Sequence, residues 1–161
     1  MRLTILAALA AAVFPVAAQA QTEPAMKGPF YSTGTGASGE SIIAMGTRER
    51  DGDLARITRV IMLPKPADAA GLVVWRIDAI AEFDCKKQLT RPLVLAARDD
   101  KGKLVHIFDN KEGFEELQAG DPTVVAALTV ACTGNPPPGA PKIDDFDAWQ
   151  AKYRAEHSGG Q

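Results

Sequence analysis

Two cysteines, Cys85 and Cys132, and two histidines, His106 and His157, are all that the chain holds of the residue types most used for metal binding and nucleophilic chemistry. A thiolate nucleophile needs a charged partner, and a zinc site needs three or four nitrogen or sulfur ligands. Neither histidine has a second histidine or a free cysteine near it in sequence, so no metal site is expected. The pair Cys85 and Cys132 reads instead as a disulfide, the usual fate of an even pair in an oxidising compartment. Serine hydrolysis lacks its signature too, since no GxSxG elbow is present. Gly34, Gly36 and Gly39 spell GxGxxG, but a dinucleotide site needs a strand before that motif and a helix after it. Here a Pro/Gly-rich stretch precedes it and the strand-like Ser41–Met45 follows, so it reads as a loop and no cofactor is expected. Asp99-Asp100 is flanked by Lys101 and Lys103 without the further oxygen ligands that calcium takes, and reads as a turn.

The positive feature is basic. Arg48, Arg50, Arg56, Arg59 and Arg76 come from three runs that should be neighbouring strands. Clustered on one face, they would suit an anionic polymer or an acidic protein segment. The competing account is cross-strand pairing with Glu49, Asp51, Asp78 and Glu82, each pair worth a few tenths to about 1 kcal/mol. A second candidate is the aromatic stripe Phe146, Trp149 and Tyr153, at i, i+3 and i+7 of a C-terminal helix. Packing on the domain is the first reading and docking of a partner protein the second.

The elements that must hold these residues are legible in order. Residues 1–20 run from Arg2 through an apolar Leu3–Val13 to Ala18-Gln19-Ala20, the pattern of a secretory signal peptide. Cleavage after Ala20 would leave Gln21 first, without the cysteine that a lipid anchor needs. About 140 residues remain, enough for one buried core. The formal net charge of −2 does not favour nucleic acid, and no later apolar stretch is long enough to span a membrane. Residues 21–39 read as a flexible segment with at most a short strand near Phe30 and Tyr31. Ser41–Arg48 and Leu54–Leu63 form a hairpin around Asp51-Gly52, with Pro64 and Pro66 ending its second strand. Leu72–Cys85 alternates most clearly, with Trp75, Ile77, Ala79, Ala81, Phe83 and Cys85 on one side and Arg76, Asp78, Glu82 and Asp84 on the other. Arg91–Arg98 and Lys103–Phe108 make a second hairpin. Asp121-Pro122 caps a short helix whose inner face is read as Val125, Leu128, Thr129 and Cys132. Residues 135–142 form a proline-rich linker, and 143–161 a C-terminal helix and tail.

Asp84-Cys85, Arg91, Asp99-Asp100-Lys101-Gly102-Lys103-Leu104, Gly120-Asp121-Pro122 and Ala131-Cys132 together resemble the bacterial surface-adhesin E-like family. The likeness covers roughly residues 41–132. It implies a curved antiparallel sheet with a helix against it and a bridge between the two cysteines. It also implies an envelope protein, of a family whose characterised members adhere to host matrix components, and it supplies no catalytic motif.

The expected fold is therefore α+β: a curved, mainly antiparallel sheet over 40–134 with a disulfide-linked short helix, followed by a C-terminal amphipathic helix. The expected function is an exported, non-catalytic envelope binding protein, periplasmic or secreted. A periplasmic docking partner acting through the aromatic helix is the alternative, and a periplasmic enzyme a lesser one.

Overall fold

Alternating apolar and polar residues commit the middle of the chain to long antiparallel strands. The computed structural model describes residues 23–69, 71–110, 112–117 and 121–157; the leader at 1–20 lies outside them. The strands are β1 (Phe30–Gly36), β2 (Gly39–Asp51), β3 (Leu54–Ala69), β4 (Leu72–Asp84), β5 (Leu89–Arg98), β6 (Leu104–Asp109), β7 (Glu115–Glu116) and β8 (Lys142–Ile143). Among the described residues two helices join them, α1 (Pro122–Thr133) and α2 (Phe146–His157). One sheet runs β6-β5-β4-β3-β2-β1-β8, with β7 beside β5 and every pairing antiparallel.

Register assigns the two faces. Ile43, Arg59 and Ala79 lie in one line across the strands, as do Ile57, Ala81 and Pro92, and Ala55, Phe83 and Thr90. This face takes α1, whose Ala127, Val130 and Ala131 pack on Ile43, Ala55, Ile57, Ala81 and Phe83. Val60 and Asp78 share the opposite face, with Arg56 and Glu82, and Met62 and Arg76. There Phe146 packs with Ile42, Val60, Met62 and Ile143, and Trp149 and Tyr153 lie against the same cluster. The stripe Phe146, Trp149 and Tyr153 is thus in contact with the sheet, and Tyr153 donates to the Met62 carbonyl at 3.3 Å. The bridge Cys85–Cys132 is formed, with Cα atoms 5.6 Å apart, and ties the end of β4 to the last turn of α1.

Several expectations need correction. Residues 30–36 are strand rather than flexible lead-in, because β1 is paired on one side by β2 and on the other by β8. The linker accordingly returns to the sheet, where Ser32 N donates to the Pro141 carbonyl at 3.1 Å. Pro64 and Pro66 do not end β3. They fall in an unpaired irregularity between Met62 and Ala67, after which pairing with β4 resumes, and a bulge is where a strand tolerates proline. In α1 the buried residues are Thr123, Ala127, Val130 and Ala131; of the face expected from spacing, Leu128 and Cys132 pack at its side, while Val125 and Thr129 are exposed. Small side chains face the sheet because they let the helix approach it closely. Gly36 and Gly39 serve a hairpin. A Cβ on Gly36 would stand 3.0 Å from Asp121 Oδ1, and one on Gly39 would collide with the Met62 carbonyl oxygen. No helix among the described residues is long and apolar enough to cross a membrane.

Candidate ligand-binding site

The sheet does not bring the five arginines together. Arg48 Nε donates to the Ala131 carbonyl at 2.7 Å, and Arg50 reaches the Cys132 carbonyl, so both stand at the C-terminal end of α1, where a cation suits the helix dipole. Arg56 and Arg76 lie on the opposite face. Arg56 Nε is 2.7 Å from Glu82 Oε1, and Arg76 holds both oxygens of Asp78, at 2.7 and 2.8 Å. Cross-strand pairing therefore describes Arg56, a pair between neighbours two apart on β4 describes Arg76, and backbone capping describes Arg48 and Arg50.

Arg59 differs from the rest. Every other arginine on the described strands meets a carboxylate or a backbone carbonyl. Among the described residues Arg59 Nη2 donates only to Thr123 Oγ1 at 3.1 Å and, weakly, to Ser41 Oγ at 3.4 Å, and its buried Nε has no partner. Burial lowers its affinity for the proton, and the charge of Asp121 only partly offsets that. The Thr123 hydroxyl relays between the two, donating to Asp121 Oδ1 at 2.6 Å. Asp121 Oδ1 also caps α1 by accepting from Thr123 N at 2.9 Å. Burial works to raise the Asp121 pKa, but those bonds and Arg59 outweigh it and hold the carboxyl below its ordinary range.

Arg59 lines a cavity of about 250 Å³ between the start of α1 and the sheet. Ile61, Ala79, Pro92 and Leu95 supply apolar wall, Ser41, Thr90 and Thr123 hydroxyls, and Glu115, Glu116 and Asp121 carboxylates. The arrangement offers one guanidinium at the side of a largely apolar cleft. Among the described residues no group of three or more His, Cys, Asp or Glu could hold a metal ion. His106 is exposed on β6 beside Phe108, and His157 stacks on Tyr153. Asp99 organises its turn by accepting from Lys101 N and Lys103 N at 2.9 and 2.8 Å.

Two buried carboxylates form centres that the sequence shows only as pairing partners. Glu82 is fully buried, accepting from Arg56 Nε and from Arg91 Nε, each at 2.7 Å, and Phe114 covers the Arg91 guanidinium. Asp78 is likewise fully buried, between Arg76 and Arg98, and Arg98 also pairs with Glu23. Their signal in the sequence is the alternation of Arg with Asp or Glu along β4 and its partners.

Glu82 carries a pH prediction. Burial, the largest single influence, pushes its pKa up, yet the two arginines together hold it below the ordinary value. A carboxyl bound more tightly as the anion in the fold stabilises above its unfolded pKa of about 4.3, and that stability is lost as pH falls through the lower folded value. Thermal melts of Glu82→Gln should therefore decline less steeply than wild type between about pH 5 and 3. Parallel acid limbs would mean that Glu82 does not contribute this way.

Searches against protein-family models, curated proteins and solved structures return no match.

Proposed function

We propose that this chain is an exported, non-catalytic binding module of a bacterial envelope, with the cleft beside α1 as its recognition site. Arg59 is the observation that carries the binding role. A half-buried guanidinium whose buried Nε has no partner among the described residues is a cost to the fold, and an anionic ligand in the cleft would offset it. The bridge takes both cysteines and ion pairs take Asp78 and Glu82, and the absence of a catalytic motif in the sequence favours binding over catalysis. Export rests on the leader at 1–20 and is supported by the bridge, which persists in an oxidising compartment. The adhesin E-like resemblance favours a place in the envelope and contact with host matrix as the cell-level role. Contacts of Phe146, Trp149 and Tyr153 with the sheet favour α2 as part of the domain over a docking helix.

Fractionation of cells expressing the native protein tests the reading. The protein should be released by osmotic shock or removed by external protease, with Cys85 and Cys132 unreactive to maleimide until reduced. Retention in the cytosol with both thiols reactive would overturn it.

A further inference from the structure

We infer that the cleft binds a small monocarboxylate with an apolar chain, the carboxylate on Arg59 and the chain along Ile61, Ala79, Pro92 and Leu95. This rests on the cleft being the recognition site. The guanidinium has five N–H donors in a planar fork suited to a carboxylate, and Thr123 and Ser41 engage only Nη2. Those hydroxyl contacts hold the side chain against the cavity wall before any ligand arrives. On the same face, Leu95 is paired in register with the exposed Phe108, so the apolar wall continues toward β6.

Charge narrows the class further. Asp121, Glu115 and Glu116 line the same cavity as Arg59, so one positive group works among three negative ones. A single carboxylate can pair with Arg59 at the cost of modest repulsion. A phosphate monoester carries about −1.5 to −2 at neutral pH and suffers more. A sulfated or phosphorylated polymer suffers most, and the other four arginines of the candidate cluster stand at the far end of α1 or on the opposite face. Volume sets the length: about 250 Å³ is at the small end of ligand pockets, which begin at roughly 300 Å³, and suits a short chain.

Calorimetric titration of the oxidised protein with octanoate, 1-octanol and octyl phosphate tests the inference. Octanoate should bind about tenfold or more tightly than 1-octanol, and more tightly than octyl phosphate. Arg59→Met should weaken octanoate by about tenfold or more while still unfolding cooperatively, since Asp121 keeps its bonds from Thr123 N and Thr123 Oγ1 at the start of α1. Leu95→Glu should weaken octanoate without touching Arg59. No octanoate binding, or equal binding by wild type and Arg59→Met, would overturn the inference, and the second result would also remove the cleft as recognition site. Tighter, Arg59-dependent binding of octyl phosphate would overturn the monocarboxylate and leave the cleft standing.

Discussion

Asp78→Ala will destabilise the fold by about 3–5 kcal/mol, the range for stripping one partner from a buried ion pair. The carboxylate is completely buried, and the side chains of Arg76 and Arg98 that it joins are only 8% and 9% exposed. Alanine would leave two guanidiniums facing each other with little access to water. Arg76 would keep Gln150 and the ring of Phe146, 5.3 Å from its Cζ, and Arg98 would keep Glu23 and the Gly102 carbonyl. None of these replaces the anion between them. Glu82→Ala should cost less although it strands two arginines as well, because the side chains of Arg56 and Arg91 are 50% and 31% exposed and can rehydrate. Urea unfolding reads both differences as midpoint shifts. Replacing Arg76, Asp78 and Arg98 together by apolar residues of similar volume should recover much of the loss, since the network's desolvation disappears with its charges. A midpoint for Asp78→Ala equivalent to within about 0.5 kcal/mol of wild type would show that the buried network does not form.

That network marks how far the sequence can be read. The alternation along β4 puts Ala79, Ala81 and Phe83 on one side and Arg76, Asp78 and Glu82 on the other, and the structure keeps that division. Parity, however, says which residues share a face and not whether the face is covered. Alternation alone makes the polar side an open one, whereas Gln150 of α2 and Glu23 of the N-terminal segment reach Arg76 and Arg98 there. Ile80, the apolar exception on the polar side, is half-buried in a trough with Thr58, Val94 and Lys27.

The same parity bears on the arginines. Arg56 and Arg59 are three apart on one strand and so point to opposite faces, which separates Arg59 from Arg56 on strand geometry alone. What no local pattern supplies is the approach of Thr123 and Asp121, brought to Arg59 by the packing of α1. Strands β2 to β6, both hairpins, the capped helix α1 and the cysteine pair are legible because each has a short-range signal in alternation, turn chemistry or cap. The strand at 30–36 is not, because glycine-rich composition masks a strand that is held by partners on both sides, nor are the two-residue β7 and β8, and Ile143, expected to open the C-terminal helix, pairs with Phe30 in β8 while α2 begins at Phe146.

Cys85→Ala should cost the oxidised protein about 2–5 kcal/mol. The bridge spans 47 residues of sequence, and closing a loop of that length removes about 4 kcal/mol of chain entropy from the unfolded state. Both cysteines also pack against the cluster of Ile43, Ile57, Phe83 and Val130, so α1 keeps its apolar seat when the bridge is lost. The two contributions are separable. If the constraint on the unfolded chain dominates, Cys85→Ala, Cys132→Ala and the double variant should unfold at nearly one urea midpoint, and reduction of wild type should bring it to the same place. If the packing of each sulfur mattered more, the two substitutions would add. Equal midpoints for wild type and Cys85→Ala without reductant would exclude the bridge itself. The non-additive result would identify the bridge as a constraint on the unfolded chain and leave the seating of α1, and with it Thr123 and Asp121 beside Arg59, to its packing on the sheet.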